Sequence, residues 1–199
     1  MTSPPAGILL AAGQGTRFGS NKLLHPLADG TPMAVASART LRSVLAHCIA
    51  VVSDVQDAVA RRLAAAGLQV IANPHAQEGM GTSIACGVAA SPHAGGWIIL
   101  LADMPAIPAG VIQSVADGLA RGADLIAPVY RGQRGHPVGF ASGHAAALCA
   151  LRGDRGARDI IAAHRETLEL IDTQDSGVIL DIDTPASLPV PLPDSATDM

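Results

Sequence analysis

At 199 residues, with 49% hydrophobic and 15% charged side chains, the chain is long enough for one substantial domain of two or three layers around a large core. Its formal net charge of -4 at pH 7 argues against a general nucleic-acid binder, which needs a basic face to neutralise phosphates. Cys48, Cys86 and Cys149 are far apart and never form Cys-x-x-Cys, which argues against structural zinc and a disulfide framework.

Aromatic residues are only 2%, so the core must be built from Val, Ile, Leu and Ala, a composition suited to a sheet covered by Ala-rich helices. The start of the chain lacks the pattern of a signal peptide, and no apolar run exceeds strand length. The expectation is a cytoplasmic protein without a membrane span.

In chain order, Gly7 to Ala12 reads as a buried first strand running into a glycine-rich loop. Pro32 to Leu45 reads as a helix with Thr31 as N-cap and Pro32 at its first position. Cys48 to Ser53 is the next strand, followed by a helix from Val55 to Ala66 that Gly67 stops. Leu68 to Ala72 is a third strand closed by Asn73-Pro74, Thr82 to Ala90 a helix, and Trp97 to Leu101 a central strand. Pro108 to Arg121 reads as a helix and Leu125 to Val129 as a strand. Beyond these come a strand at Pro137 to Phe140, helices at His144 to Leu151 and Ala157 to His164, and short strands at Leu168 to Ile171 and Val178 to Ile182.

Strands separated by helices need crossover connections and favour a parallel sheet covered on both faces. The segment from Arg131 onward is expected to add a small antiparallel portion. The core spans about residues 6 to 188, and the proline-bearing tail, 189 to 199, is expected to fray.

The first strand leads into Leu10-Ala11-Ala12-Gly13-Gln14-Gly15-Thr16-Arg17-Phe18-Gly19-Ser20-Asn21-Lys22. Small residues let backbone amides approach phosphate oxygens closely. Arg17 offers a planar fork of donors and Lys22 a compact charge. A Walker loop is excluded, because Gly19 is followed by Ser20 and not by lysine. A dinucleotide loop is excluded as well, since the glycines run Gly13-x-Gly15-x-x-x-Gly19.

This Leu-Ala-Ala-Gly-x-Gly-Thr-Arg-Phe-Gly-x-x-Lys run resembles the signature of the MobA/MocA-like nucleotidyltransferases, closest to the group that contains molybdenum cofactor cytidylyltransferase. The resemblance spans nearly the whole chain. It implies a three-layer Rossmann-like nucleotidyltransferase fold of the nucleotide-diphospho-sugar transferase type, an α/β architecture. It also implies transfer of a nucleoside monophosphate, CMP from CTP, to a phosphorylated acceptor such as molybdopterin. Arg17, Lys22 and Asp103 become the catalytic candidates, and Ala12, Gly13, Gly15 and Thr16 contacts of the nucleotide. A molybdoenzyme or its chaperone is an implied partner.

Independently of the resemblance, the strand Trp97 to Leu101 delivers Ala102-Asp103-Met104-Pro105 at its carboxyl end, the edge where open α/β sheets bind ligands. A carboxylate there suits Mg²⁺, which is commonly held by one or two carboxylates plus phosphate oxygens. The family carries Gly-Asp-Met-Pro with a metal-binding Asp, so Ala102 is a mild departure. Asp181-Ile182-Asp183-Thr184-Pro185 resembles the family's Asp-Ile-Asp-Thr-Pro, where a carboxylate returns to the metal. Alternation places Asp181 and Asp183 on one side; Asp183 is favoured, with Asp181 left open.

Gly79-Met80-Gly81-Thr82-Ser83 opens a helix whose free amides suit base, ribose or phosphate contacts, and resembles a nucleotide-binding segment of the family. Gly81, Thr82 and Ser83 are the candidates, with plain N-capping as the alternative. Arg131-Gly132-Gln133-Arg134-Gly135-His136-Pro137-Val138 and Gly153-Asp154-Arg155-Gly156-Ala157-Arg158 resemble segments of the cytidylyltransferase group. Arginines concentrated there in a net acidic chain suggest a site for an anionic acceptor, with Arg134, His136, Asp154 and Arg158 as candidates. Three alternatives stay open: use of GTP, a sugar or alcohol phosphate acceptor, and a non-catalytic nucleotide-binding regulator or cofactor chaperone.

Overall fold

A computed structural model describes residues 3–13 and 22–182. Among these residues eight strands form one mixed sheet: β1 (Ala6–Leu10), β2 (Cys48–Val52), β3 (Gln69–Ala72), β4 (Gly96–Leu101), β5 (Leu125–Tyr130), β6 (Gln133–Arg134), β7 (Val138–Ala141) and β8 (Leu168–Asp172). The order is β3-β2-β1-β4-β7-β5-β6, and β8 also pairs with β5. The pairs β3-β2, β2-β1 and β1-β4 are parallel. β7 is antiparallel to both of its neighbours, β4 and β5, and supplies the expected antiparallel portion together with β6.

Helices cover both faces. Residues of α1 (Met33–Val44), α2 (Ala58–Ala65) and α4 (Ala109–Ala120) pack with Leu9, Ala50, Val52, Ile98 and Leu100. On the other face α3 (Met80–Ala89), α5 (Ala145–Cys149) and α6 (Arg158–Ala163) contribute to a core with Ile8, Ile49, Val51, Trp97 and Ile99. Consecutive strand residues point to opposite faces, so β1 sends Ile8 to one core and Leu9 to the other. A strand buried on both faces must be apolar throughout, which is why β2 reads Cys-Ile-Ala-Val-Val. Among the described residues no helix is long and apolar enough to cross a membrane.

Several boundaries differ from expectation for local reasons. The first helix begins at Met33, with Pro32 in the capping position. Thr31 does not cap it, because its N–H and hydroxyl are bonded to the Asp29 carboxylate at 2.8 and 3.0 Å. α2 starts three residues later than expected, where the Asp57 carboxylate accepts the Ala60 N–H at 2.6 Å. Gly67, with φ of +87°, follows its end as anticipated. The strand expected at Val178 to Ile182 does not form. Residues Ser176–Ile179 make a 3₁₀ turn instead, organised by the Asp175 carboxylate accepting from the Gly177 N–H at 2.8 Å.

Candidate active site

Sheet register brings two strand ends together. Leu10 is the direct partner of Leu101, and the N–H of Ala102 donates to the carbonyl of Leu10 at 3.1 Å. Chain direction therefore carries Ala11-Ala12-Gly13 and Ala102-Asp103 out of the same edge, between β1 and β4. That is where strand order reverses and ligands bind in open α/β sheets. Lys22, in a 3₁₀ turn (Lys22–Leu24), reaches the same place: its Nζ lies 3.0 Å from Asp103 Oδ2. The Lys22 side chain is 9% exposed and that of Asp103 28%, so the pair is anchored on the lysine side and open on the carboxylate side.

A cavity of about 290 Å³ opens over this pair, lined by Ala12, Gly13, Lys22, Ser83 and Asp103 among others. Its far wall is the start of α3. Gly79 has φ of +114°, and a Cβ there would overlap the backbone of Gly153. The N–H of Gly81 donates to the carbonyl of Gly153 at 2.8 Å. The loop before α6 is thus bonded directly to the start of α3.

Buried Asn73 organises this wall, a role its position in an Asn-Pro turn signal did not reveal. Its Nδ2 donates to Thr82 Oγ1 at 2.9 Å and to Ser83 Oγ at 3.0 Å, and its Oδ1 accepts the His75 N–H at 2.9 Å. The Thr82 hydroxyl also sits 2.8 Å from the Gly79 carbonyl, so it is engaged inside the protein. Of the three residues anticipated here, Ser83 lines the cavity, whereas the Gly81 amide and the Thr82 hydroxyl are spent on internal bonds.

A second cavity of about 400 Å³ adjoins the first, and Leu10, Met80, Leu101 and Asp154 line both. Arg134, His136, Arg158 and Asp181 contribute its polar side over an apolar floor. Backbone bonds seat this rim, with the Gly135 N–H donating to Pro128 and the His136 N–H to Val178, each at 2.8 Å. Burial, and the nearby Arg158 guanidinium, lower the pKa of Arg134. Burial first, and then Arg134, push the His136 imidazole down to about 4. Its Nδ1 is sealed from solvent and has no hydrogen-bond partner among the described residues.

The donor set fits a hard divalent cation held through a carboxylate and substrate oxygens. Asp103 offers a partly open carboxylate at the cavity wall. Among the described residues no cluster of three or more His, Cys, Asp or Glu side chains could cage an ion, so those residues by themselves offer no all-protein zinc-type site. Ile182 donates its N–H to the Asp103 carbonyl at 3.1 Å, which brings the Asp181-Ile182 segment against the same turn. Gly15, Thr16, Arg17 and Asp183 lie outside the described residues.

A family model for the MobA-like NTP transferase domain matches residues 7–168. The chain belongs to this family. This MobA-like chain is 29% identical over 198 residues to the purine catabolism protein PucB of Bacillus subtilis, covering 90% of this chain and 91% of PucB. The crystal structure of Rv0371c from Mycobacterium tuberculosis superposes with a TM-score of 0.80 at 26% identity, covering 94% of this chain and 96% of that one. A second structure of Rv0371c, a complex with manganese, has a TM-score of 0.78 at 23% identity over 94% and 96% of the two chains. The chain therefore has the fold of the Rossmann-like nucleotidyltransferases, and the MobA-like assignment covers both strand ends that meet at Lys22 and Asp103.

Proposed function

We propose that this MobA-like protein transfers CMP from CTP, with Mg²⁺, to a small phosphorylated acceptor, molybdopterin in the first instance, and passes the product to a molybdoenzyme or its chaperone. The observation that carries the reading is the 3.0 Å contact of Lys22 with Asp103 beneath one cavity that opens into a second, arginine-bearing one. Two adjoining cavities suit a reaction in which two phosphorylated substrates must meet. The choice of cytidine rests on the resemblance of the segments at Arg131 to Val138 and Gly153 to Arg158 to the cytidylyltransferase group. The manganese bound by Rv0371c is consistent with a divalent cation at Asp103.

In this reading the acceptor phosphate oxygen attacks the α-phosphorus in line, the new P–O bond forms, and the bond to the β-phosphate bridging oxygen breaks to release pyrophosphate. That phosphate is already ionised near neutral pH, so no side chain has to take a proton. Ala12, Gly13, Gly15 and Thr16 cradle the triphosphate, and Ser83 contacts the nucleotide. Lys22 and Arg17 oppose charge that grows on the triphosphate, Arg134 and Arg158 hold the acceptor anion, and Asp103, with Asp183, holds the cation. Bound Mg²⁺ supplies Lewis-acid neutralisation of the phosphate oxygens. Catalysis comes from placement and charge neutralisation.

Incubation with molybdopterin, Mg²⁺ and each of the four triphosphates, read as pyrophosphate release, tests this. CTP is expected to give the fastest release. Faster release with GTP reassigns the base, and tight nucleotide binding without release from any triphosphate overturns the transferase reading in favour of a regulator.

A further inference from the structure

The turn that carries Asp103 is tethered from three directions. The Ala102 N–H donates to Leu10 and the Asp103 carbonyl accepts from the Ile182 N–H, both at 3.1 Å. The third tether is a side chain: Ser37 Oγ donates to the Ala102 carbonyl at 3.1 Å, across 65 residues of sequence. Ser37 is 1% exposed and sits on the buried face of α1 beside Ala34, Ala38 and Leu41. Its other acceptor is the Met33 carbonyl one turn back, farther away at 3.4 Å. A serine in the middle of an apolar helix face costs desolvation unless its hydroxyl is bonded, and here the hydroxyl reaches across to the site. Among the described residues the Ala102 carbonyl has Ser37 as its hydrogen-bond partner.

The Ala102 carbonyl and the Asp103 N–H belong to one planar peptide unit. Fixing the carbonyl fixes the plane from which the Asp103 side chain projects. We propose that Ser37 is a positioning residue for Asp103, holding the Ala102–Asp103 peptide so that the carboxylate faces the cavity before a cation arrives. This rests on the reading of Asp103 as the cation-holding carboxylate. Without the hydroxyl the peptide can rock, and the carboxylate has to be ordered when the cation binds.

The test measures Mn²⁺ affinity by electron paramagnetic resonance in the presence of non-hydrolysable α,β-methylene CTP, together with thermal melting. Ser37→Ala is expected to weaken Mn²⁺ binding about 10-fold, the scale at which an orienting partner of a metal ligand acts. Ser37→Cys, which keeps the shape and a weak donor, is expected to fall between Ser37→Ala and the wild type, and it carries the test should Ser37→Ala not fold. Thr40→Ala is the matched control, since it removes another hydroxyl of α1, one that donates to the Ala36 carbonyl at 3.1 Å within its own helix; it should leave Mn²⁺ affinity unchanged. Wild-type affinity in both Ser37 variants, whatever their melting temperatures, overturns the proposal alone. Equal Mn²⁺ affinity of wild type and Asp103→Asn removes the reading of Asp103 itself, and the proposal with it.

Discussion

Lys22 Nζ and Asp103 Oδ2 are 3.0 Å apart although 81 residues separate them in sequence. Neither residue belongs to a strand. Asp103 sits two residues past β4 and Lys22 reaches it from a 3₁₀ turn, so the parallel register Leu10 with Leu101 fixes where the Asp103 turn meets that lysine. A one-residue slip in that register would send Asp103 to the other face of the sheet.

Asp103→Asn is expected to keep the fold, since the amide oxygen can still accept from Lys22, and to lower the rate of pyrophosphate release by roughly 10²–10³-fold, the scale for losing one preorganised electrostatic contact. Lys22→Met is expected to lose a similar factor. Steady-state kinetics with melting curves decide the point, and activity near the wild-type level in Asp103→Asn would remove the carboxylate from the mechanism.

His136 gives a pH signature. Its imidazole is pushed down to about 4 from the usual 6.5, by burial first and Arg134 second. Between those values the unfolded chain binds a proton that the folded chain refuses, so stability rises with pH across the window and falls on acidification through it. Urea unfolding at pH 7 and pH 4.5 should show the wild type losing about 2 kcal/mol more than His136→Gln. An identical pH dependence in the two proteins would mean that the ring is not held neutral.

Much of this was legible from residue order. The βα alternation gave away the parallel half of the sheet, because a strand buried on both faces has to be an unbroken apolar run, as in Cys48–Val52. The Asp103 turn could be read from its place after such a run. Other features depend on contacts between segments distant in sequence. Nothing local in Val138–Ala141 says that it inserts antiparallel between β4 and β5. Val178 looked like a strand residue, but the Asp175 side chain and the close approach of Gly177 to Ala106 curl that segment into a 3₁₀ turn. The role of the Asn73 amide, which donates to the Thr82 and Ser83 hydroxyls from nine and ten residues away, has no local sequence signal either, and Thr82 in turn donates to the Gly79 carbonyl while Ser83 lines the cavity. Ser37, on a helix far from any motif, carried no signal beyond being polar among buried neighbours.

The wall of the smaller cavity should be sensitive to a single methyl group. Gly79 has φ of +114° and no room for a Cβ against Gly153. Gly79→Ala is expected to cost about 2–3 kcal/mol, lowering Tm by roughly 5–10 °C. The milder Gly81→Ala would place its Cβ 2.8 Å from the Arg152 carbonyl oxygen and should weaken both substrates together. Scanning calorimetry showing wild-type stability for Gly79→Ala would contradict this packing.

Arg134 and Arg158 line the larger cavity and are absent from the smaller one. Replacing either with Ala is expected to raise KM for the phosphorylated acceptor about 10-fold, with KM for the triphosphate unchanged, as for loss of a charge-assisted contact worth about 1.5 kcal/mol. An increase confined to the triphosphate would exchange the roles of the two cavities.

The most direct measurement is a crystal structure with CTP and Mg²⁺ bound. One metal-bound triphosphate is expected in the cavity of about 290 Å³, with Asp103 on the metal and Lys22 on a phosphate oxygen. A triphosphate bound elsewhere, with the Lys22–Asp103 pair touching neither metal nor phosphate, would contradict it.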